Sequence, residues 1–460
     1  MKRFSIVLAV LLSAWPQCGC AGSEESPDSA AATTSPASRP SELAVAPPAG
    51  TSLVRPENLV YRGAFRLPEG SGSSSWEWSG YAITYCPEGD PGGERDGYPG
   101  SLFAVGHDHQ QMVSEISIPR PVISTQKRVD DLNVATTLQP FRDIRNDLFG
   151  ELEIPRAGLA YLPSERDGQP GKLYFCWGQH FQFELDPSHG RCDLNLERPA
   201  AEGLWRIGNY TNYVTNDYMC DIPEAWSRQN LPGFRLATGR FRDGEWGGLG
   251  PALLAIQPPA EDESLPNGAA IEQVRTLLMY GKPQAGAAEL DVTDRDQMSG
   301  YSAADEWSGV SWLSAGERAA VVFVGTKGEG KTWYGFANGV EYPTSGDPND
   351  PVPDVPPFPF DARGWWSAGI SAQMLFYNPA DLAAVAAGTM PSWEPQPYAH
   401  LLLDGYLFDP GFDHPRQKRY LLGACCFDRE RGLMYIVERR ADESDKSLIH
   451  VFSIGGSNHD

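Results

Sequence analysis

The chain has 460 residues and a formal net charge of −23. So acidic a balance argues against nucleic acid or an anionic membrane surface as the partner of the whole body. The 48 glycines and 39 prolines, set among short runs rich in Val, Ile, Leu, Tyr and Phe, point to an all-β body.

Lys2 and Arg3 precede an apolar run too short to span a bilayer, so residues 1–20 read as a secretory signal. Gly19 before Cys20 is similar to the end of a bacterial lipoprotein signal, which implies a lipid anchor on Cys20. Simple secretion, with Cys20 an ordinary thiol, is the alternative. Export to the outer membrane, periplasm or exterior is expected either way. Residues 21–51 are rich in Ser, Ala, Pro, Thr and Glu and are expected to form an unfolded tether. Residues 52–460 carry no second low-complexity linker and are expected to fold as one domain, a monomer.

Within that domain one hairpin pattern recurs: a glycine, an apolar alternation, a turn, a second apolar run and a polar tip. It starts at Gly80 (GYAITYCPEGD, then GSLFAVGHD), Gly158, Gly309 and Gly423, with a degenerate copy over 212–242. Extended to four strands, the copies predict blades at 80–86, 101–108, 112–119 and 134–141, then 158–162, 172–178, 181–185 and 203–207. The third blade falls at 212–220, 234–242, 251–257 and 274–281, and the fourth at 309–314, 319–327, 372–378 and 397–404. The last has 422–427, 433–440 and 447–454 and lacks a fourth strand, whereas the run at 58–68 is a strand without a hairpin partner. Placing the spare strand in the incomplete blade closes a five-bladed β-propeller and protects its edges. Six blades stay open if 328–369 holds another.

Strands alternate in direction, so the loop leaving each second strand and the loop reaching each first strand share one face. The second strands end in His107 and His109, His180, Arg240 and Arg242, Lys327, and Arg439 with Arg440. These cations suit a carboxylate, sulfate or phosphate, or else form rim ion pairs. His107, His109 and His180 are also a weaker candidate set for zinc. The sequence EWSG occurs twice and sets Glu77 and Glu306 at equivalent places, with Trp307 following; blade three offers Asp217 and Tyr218. Carboxylates converging on a channel mouth suit acid–base cleavage of a glycosidic bond, and the alternative is a structural corner. The segment 328–369 adds Trp333, Trp365 and Trp366 as flat platforms for sugar rings. Its Asp347, Asp350 and Asp354 offer hard oxygen ligands to Ca²⁺, without a recognised loop spacing; no cofactor is certain from the sequence.

Outside the signal the cysteines are Cys86, Cys176, Cys192, Cys220, Cys425 and Cys426. Their even number in an exported chain permits disulfides, with Cys176–Cys192 the most plausible pair. Cys425 and Cys426 should point to opposite faces of one strand.

A secreted five-bladed propeller with acids at its mouth resembles the propeller glycoside hydrolases acting on arabinan, xylan and fructan. The resemblance covers the architecture and matches no catalytic motif. It implies hydrolysis of a glycan, for which Glu77, Asp217 and Glu306 are the acid–base candidates. Two other functions compete. A lyase for acidic polysaccharide would use His107 or Tyr218 as base and Arg240 or Arg242 to neutralise a carboxylate. A binding propeller would do no chemistry.

Overall fold

The structure, a computed structural model, describes residues 52–455 apart from 91, 94–97, 181, 183, 242–246, 284–289, 346 and 414. The expected signal and tether, Cys20 and Arg242 lie outside the described residues. No helix among the described residues is long and apolar enough to cross a membrane.

Each hairpin repeat folds into a sheet of four antiparallel strands, to which Ala270–Ile271 in blade two and Ser52–Leu53 in blade four each add a short parallel strand, and the five sheets form a five-bladed β-propeller. Blade one is Ile83–Cys86, Ser101–Val105, Val113–Ser117 and Thr137–Arg142. Blade two is Arg156–Leu162, Lys172–Gly178, His189–Asp193 and Glu202–Ile207. Blade three is Tyr218–Asp221, Leu236–Gly239, Leu253–Ile256 and Val274–Leu278. Blade four is Glu306–Ala315, Arg318–Phe336, Arg363–Tyr377 and Ala399–Leu402. Blade five is Leu422–Asp428, Leu433–Glu438 and Leu448–Ile454, completed by Leu59–Arg66 from the start of the domain. That closing strand pairs antiparallel with Leu448–Ile454, as the missing-strand argument expects.

The first strand of every blade is innermost, and these strands touch in ring order, from blade one through blade five and back to one. The glycine that opens the repeat is explained here. A Cβ on Gly158 would lie 2.7 Å from the amide nitrogen of Met219 in the next inner strand, and one on Gly423 would lie 2.1 Å from the carbonyl oxygen of Gly80. Glycine is used where two inner strands approach backbone to backbone.

Period-two alternation sends successive side chains to opposite faces of each blade, and each face packs on a neighbouring blade. The apolar clusters follow: Phe103, Leu159 and Trp177 join blades one and two, and Met219, Cys176 and Leu254 join two and three. Tyr218, Trp307 and Phe323 join three and four; Val324, Cys425 and Met434 join four and five; Tyr85, Cys426 and Tyr435 join five and one.

Three expectations change. The third strand of blade two lies at His189–Asp193, not at 181–185. Segment 328–369 holds no extra blade; the second and third strands of blade four simply continue, pairing as far as Phe336 with Arg363. Cys176 and Cys192 are not bonded, and all the cysteines outside the signal are free and buried. Cys192 sits opposite Leu173, three residues from Cys176, so the two thiols face opposite sides of the sheet and enter different cores. Cys425 and Cys426 do point to opposite faces.

Candidate site at the channel mouth

The start of every inner strand places one polar or aromatic side chain at the same end of the channel. Blade one gives Tyr81, blade two Arg156, blade three Asp217, blade four Glu306 and blade five Tyr420. Arg156 joins them. Its guanidinium lies 3.1 Å from the Glu306 carboxylate and 4.4 Å from the centre of the Tyr81 ring. Burial works against its charge, yet Tyr81, Glu306, Asp217 and Tyr420 together hold it above the ordinary arginine value. The side chains of Arg156 and Glu306 are only 11% and 4% exposed, so this pair sits in a medium where Coulomb forces are weakly screened.

Arg439, just beyond the second strand of blade five, covers the other side of Tyr81. Its guanidinium is 4.3 Å from that ring centre and 5.7 Å from that of Tyr420, and Nη2 donates to the Tyr81 hydroxyl at 2.7 Å. Arg439 is 6% exposed, and its Nε and Nη1 have no hydrogen-bond partner. Burying guanidinium donors without acceptors is costly, so aromatic faces alone are poor compensation for this charge. The half-buried Tyr81 therefore stands between two cations.

Other expected residues are placed differently. Tyr218 is 2% exposed and donates from its hydroxyl to the Ala252 carbonyl, inside the core between blades three and four. As first residue of its strand it points sideways into the blade, so it offers no base at the mouth. Arg240 is wholly buried and clamps two blades, donating to the carbonyls of Asn212, Gln179 and His180 and to Asn216 Oδ1, 3.5 Å from Asp217. It is thus committed to the fold rather than offered to a ligand. Lys327 pairs with buried Asp305 at 2.6 Å.

The EWSG echo does not produce equivalent sites. In blade four it begins the inner strand, with Glu306 opposite Thr326 and Trp307 fully buried. In blade one it lies in a loop before the strand; Trp78 has φ 50 and is 37% exposed, and Glu77 bridges through its backbone to Lys446. Glu77 is half-buried, and the carboxylate 3.1 Å from Arg156 is that of Glu306. Trp78 is held by a bond from Nε1 to Asp445 and lies edge-on to His107, which in turn faces His109. His180 lends its carbonyl to Arg240 and Tyr213.

Of the inserted aromatics, Trp366 is buried beneath Arg419, Trp333 donates to the Phe336 carbonyl, and Trp365 packs on Tyr334. Asp347 accepts from Asn349, and Asp350 from Ser345. Among the described residues no group of His, Cys, Asp and Glu is arranged to hold a metal ion, neither at these aspartates nor at His107, His109 and His180.

Tyr81, Arg156 and Tyr420 escaped the reading by residue type. The usable signal is positional: each lies within two residues of the inner strand or its glycine, the place already occupied by Glu306 and Asp217. No protein-family model matches the chain, and no curated protein matches it in sequence.

Proposed function

We propose that this is an exported carbohydrate-active protein that cleaves an acidic polysaccharide by β-elimination at the channel mouth. The observation that carries the reading is Arg439: a buried guanidinium with two unsatisfied nitrogens beside a half-buried phenol. A uronate carboxylate is the planar anion an arginine recognises best. Neutralising that carboxylate makes the hydrogen on its α-carbon more acidic. Tyr81, acting as phenolate between the two guanidiniums, takes that proton, and the electron pair forms the double bond to the β-carbon. The glycosidic oxygen leaves from the β-carbon and takes the proton from the Tyr81 phenol as it departs, which returns Tyr81 to phenolate. The phenolate charge before the transfer, and the negative charge that develops on the sugar during it, fall beside Arg156 and Arg439, where fixed cations need no reorganisation. Trp78 offers the neighbouring sugar an exposed ring.

A second reading, hydrolysis, is favoured by one specific feature: Glu306 and Asp217, from adjacent blades, both bear on Arg156. Glycosidic hydrolysis uses two carboxylates in this way, one protonated and one ionised. Exposure to a panel of neutral and uronate-rich polysaccharides separates the readings. Elimination yields products with the ultraviolet absorbance of an unsaturated uronate; hydrolysis yields reducing ends without it. Binding with neither product leaves a glycan-binding propeller.

A further inference from the structure

At the opposite end of the channel, where the inner strands finish, lies a cavity of about 400 Å³. That is the size of a small-molecule site, and all five blades contribute to its wall. Its apolar part is soft, formed by Ile83, Leu159, Met219, Cys220, Cys425 and Cys426, with Thr84 and Ser311 among them. Burial raises each of those thiols above the ordinary cysteine value, so they are neutral at pH 7 and react slowly rather than not at all. Tyr85, Tyr161 and Phe427 bring aromatic rings to the same space.

The lip is charged but balanced. Arg429 reaches across three blades, donating to Asp221 at 2.5 Å, to the Trp312 carbonyl at 2.9 Å and to Ser314 at 2.8 Å. Glu224 and Arg235 form a second lip pair at 3.9 Å. Asp428 and Glu430 also line the wall and pair with Arg431 at 3.4 and 4.0 Å, and Glu224 pairs with Arg228 as well, so each lining carboxylate faces a guanidinium and the lip gives no strong preference for a charged ligand. Sulfur against aromatic rings is a favourable contact, and an apolar cavity gains by filling with an apolar guest.

We infer that this lower cavity is a second ligand site, for a small uncharged aromatic molecule, separate from the upper mouth. The test uses the uncharged fluorophore N-phenylnaphthylamine. Its fluorescence rises saturably, with one molecule per chain, and Tyr81→Phe leaves that binding intact. Ser311→Phe, which fills the wall from blade four, weakens it by about tenfold or more. Should that variant not fold, the wild-type chain gives an independent readout by mass spectrometry after treatment with a small neutral thiol reagent. Cys220, Cys425 and Cys426 are modified, the fluorophore slows them, and Cys192, remote from the cavity, is unaffected by it. Unsaturable binding, equal binding in folded Ser311→Phe, loss of binding in Tyr81→Phe, or thiols that are unmodified or unprotected would each overturn the inference.

Discussion

The Tyr81 hydroxyl accepts a hydrogen bond of 2.7 Å from Arg439 Nη2 while the same guanidinium covers the ring at 4.3 Å. Tyr81 leads the inner strand of blade one and Arg439 follows the second strand of blade five, so the contact forms only when the ring of blades is closed. The proposed chemistry therefore depends on the seam that the N-terminal strand seals.

Removing only the phenolic oxygen tests that chemistry. Tyr81→Phe keeps the ring between Arg156 and Arg439, and thermal stability changes by about 1 kcal/mol or less, the net value of one hydrogen bond. Turnover of an acidic polysaccharide falls by ~10²–10⁴, the usual contribution of a positioned acid–base group.

Glu306→Gln affects stability first. Arg156, 11% exposed in its side chain, loses the carboxylate at 3.1 Å, and breaking a buried pair from one side costs about 3–5 kcal/mol. Denaturant unfolding measures this directly. A variant as stable as the parent but devoid of turnover would favour the hydrolytic role of Glu306 instead.

Asp305 gives the fold a pH dependence. Burial raises its carboxyl from 3.8 to about 6, against the opposing pull of Lys327 and the amides of Gly328 and Ser302. The folded chain thus keeps a proton that the unfolded chain has released. The associated stabilisation is complete below about pH 4 and is lost as pH rises through about 6. Asp305→Asn removes the titration, so its melting temperature falls less over that interval than that of the parent. Losing the Lys327 partner lowers the variant's curve as a whole but not this slope.

The close approach of inner strands makes Gly423 costly to replace. Gly423→Ala puts a methyl 2.1 Å from the Gly80 carbonyl oxygen and should cost about 1–3 kcal/mol, whereas Gly405→Ala, with nothing within 4 Å, should be near neutral. Paired unfolding curves for the two variants read out the difference.

The blades were legible because a physical constraint writes the repeat: Gly158 and Gly423 must be glycine for neighbouring strands to touch, and alternation must serve two cores at once. The spare strand at Leu59–Arg66 was legible because blade five lacked one. The third strand of blade two was not, since HGRCD has neither alternation nor β-branched residues, while FQFEL upstream has alternation. Strand direction puts the starts of the inner strands on one face, and there Asp217 and Glu306 both bear on Arg156. Tyr81, Arg156 and Tyr420 were missed because five equivalent positions hold four residue types, so no motif repeats. Tyr218 and Arg240 were overrated because sequence gives their place along a strand and not the partners, Ala252 and the carbonyls of blade two, that claim them.

The most direct measurement is the ultraviolet absorbance of a uronate-rich polysaccharide incubated with the wild-type protein, with Tyr81→Phe and with Arg439→Ala. Absorbance rises with the wild type and is essentially absent with either variant, both remaining folded. Reducing ends released without absorbance, or full activity in Tyr81→Phe, would contradict elimination by Tyr81.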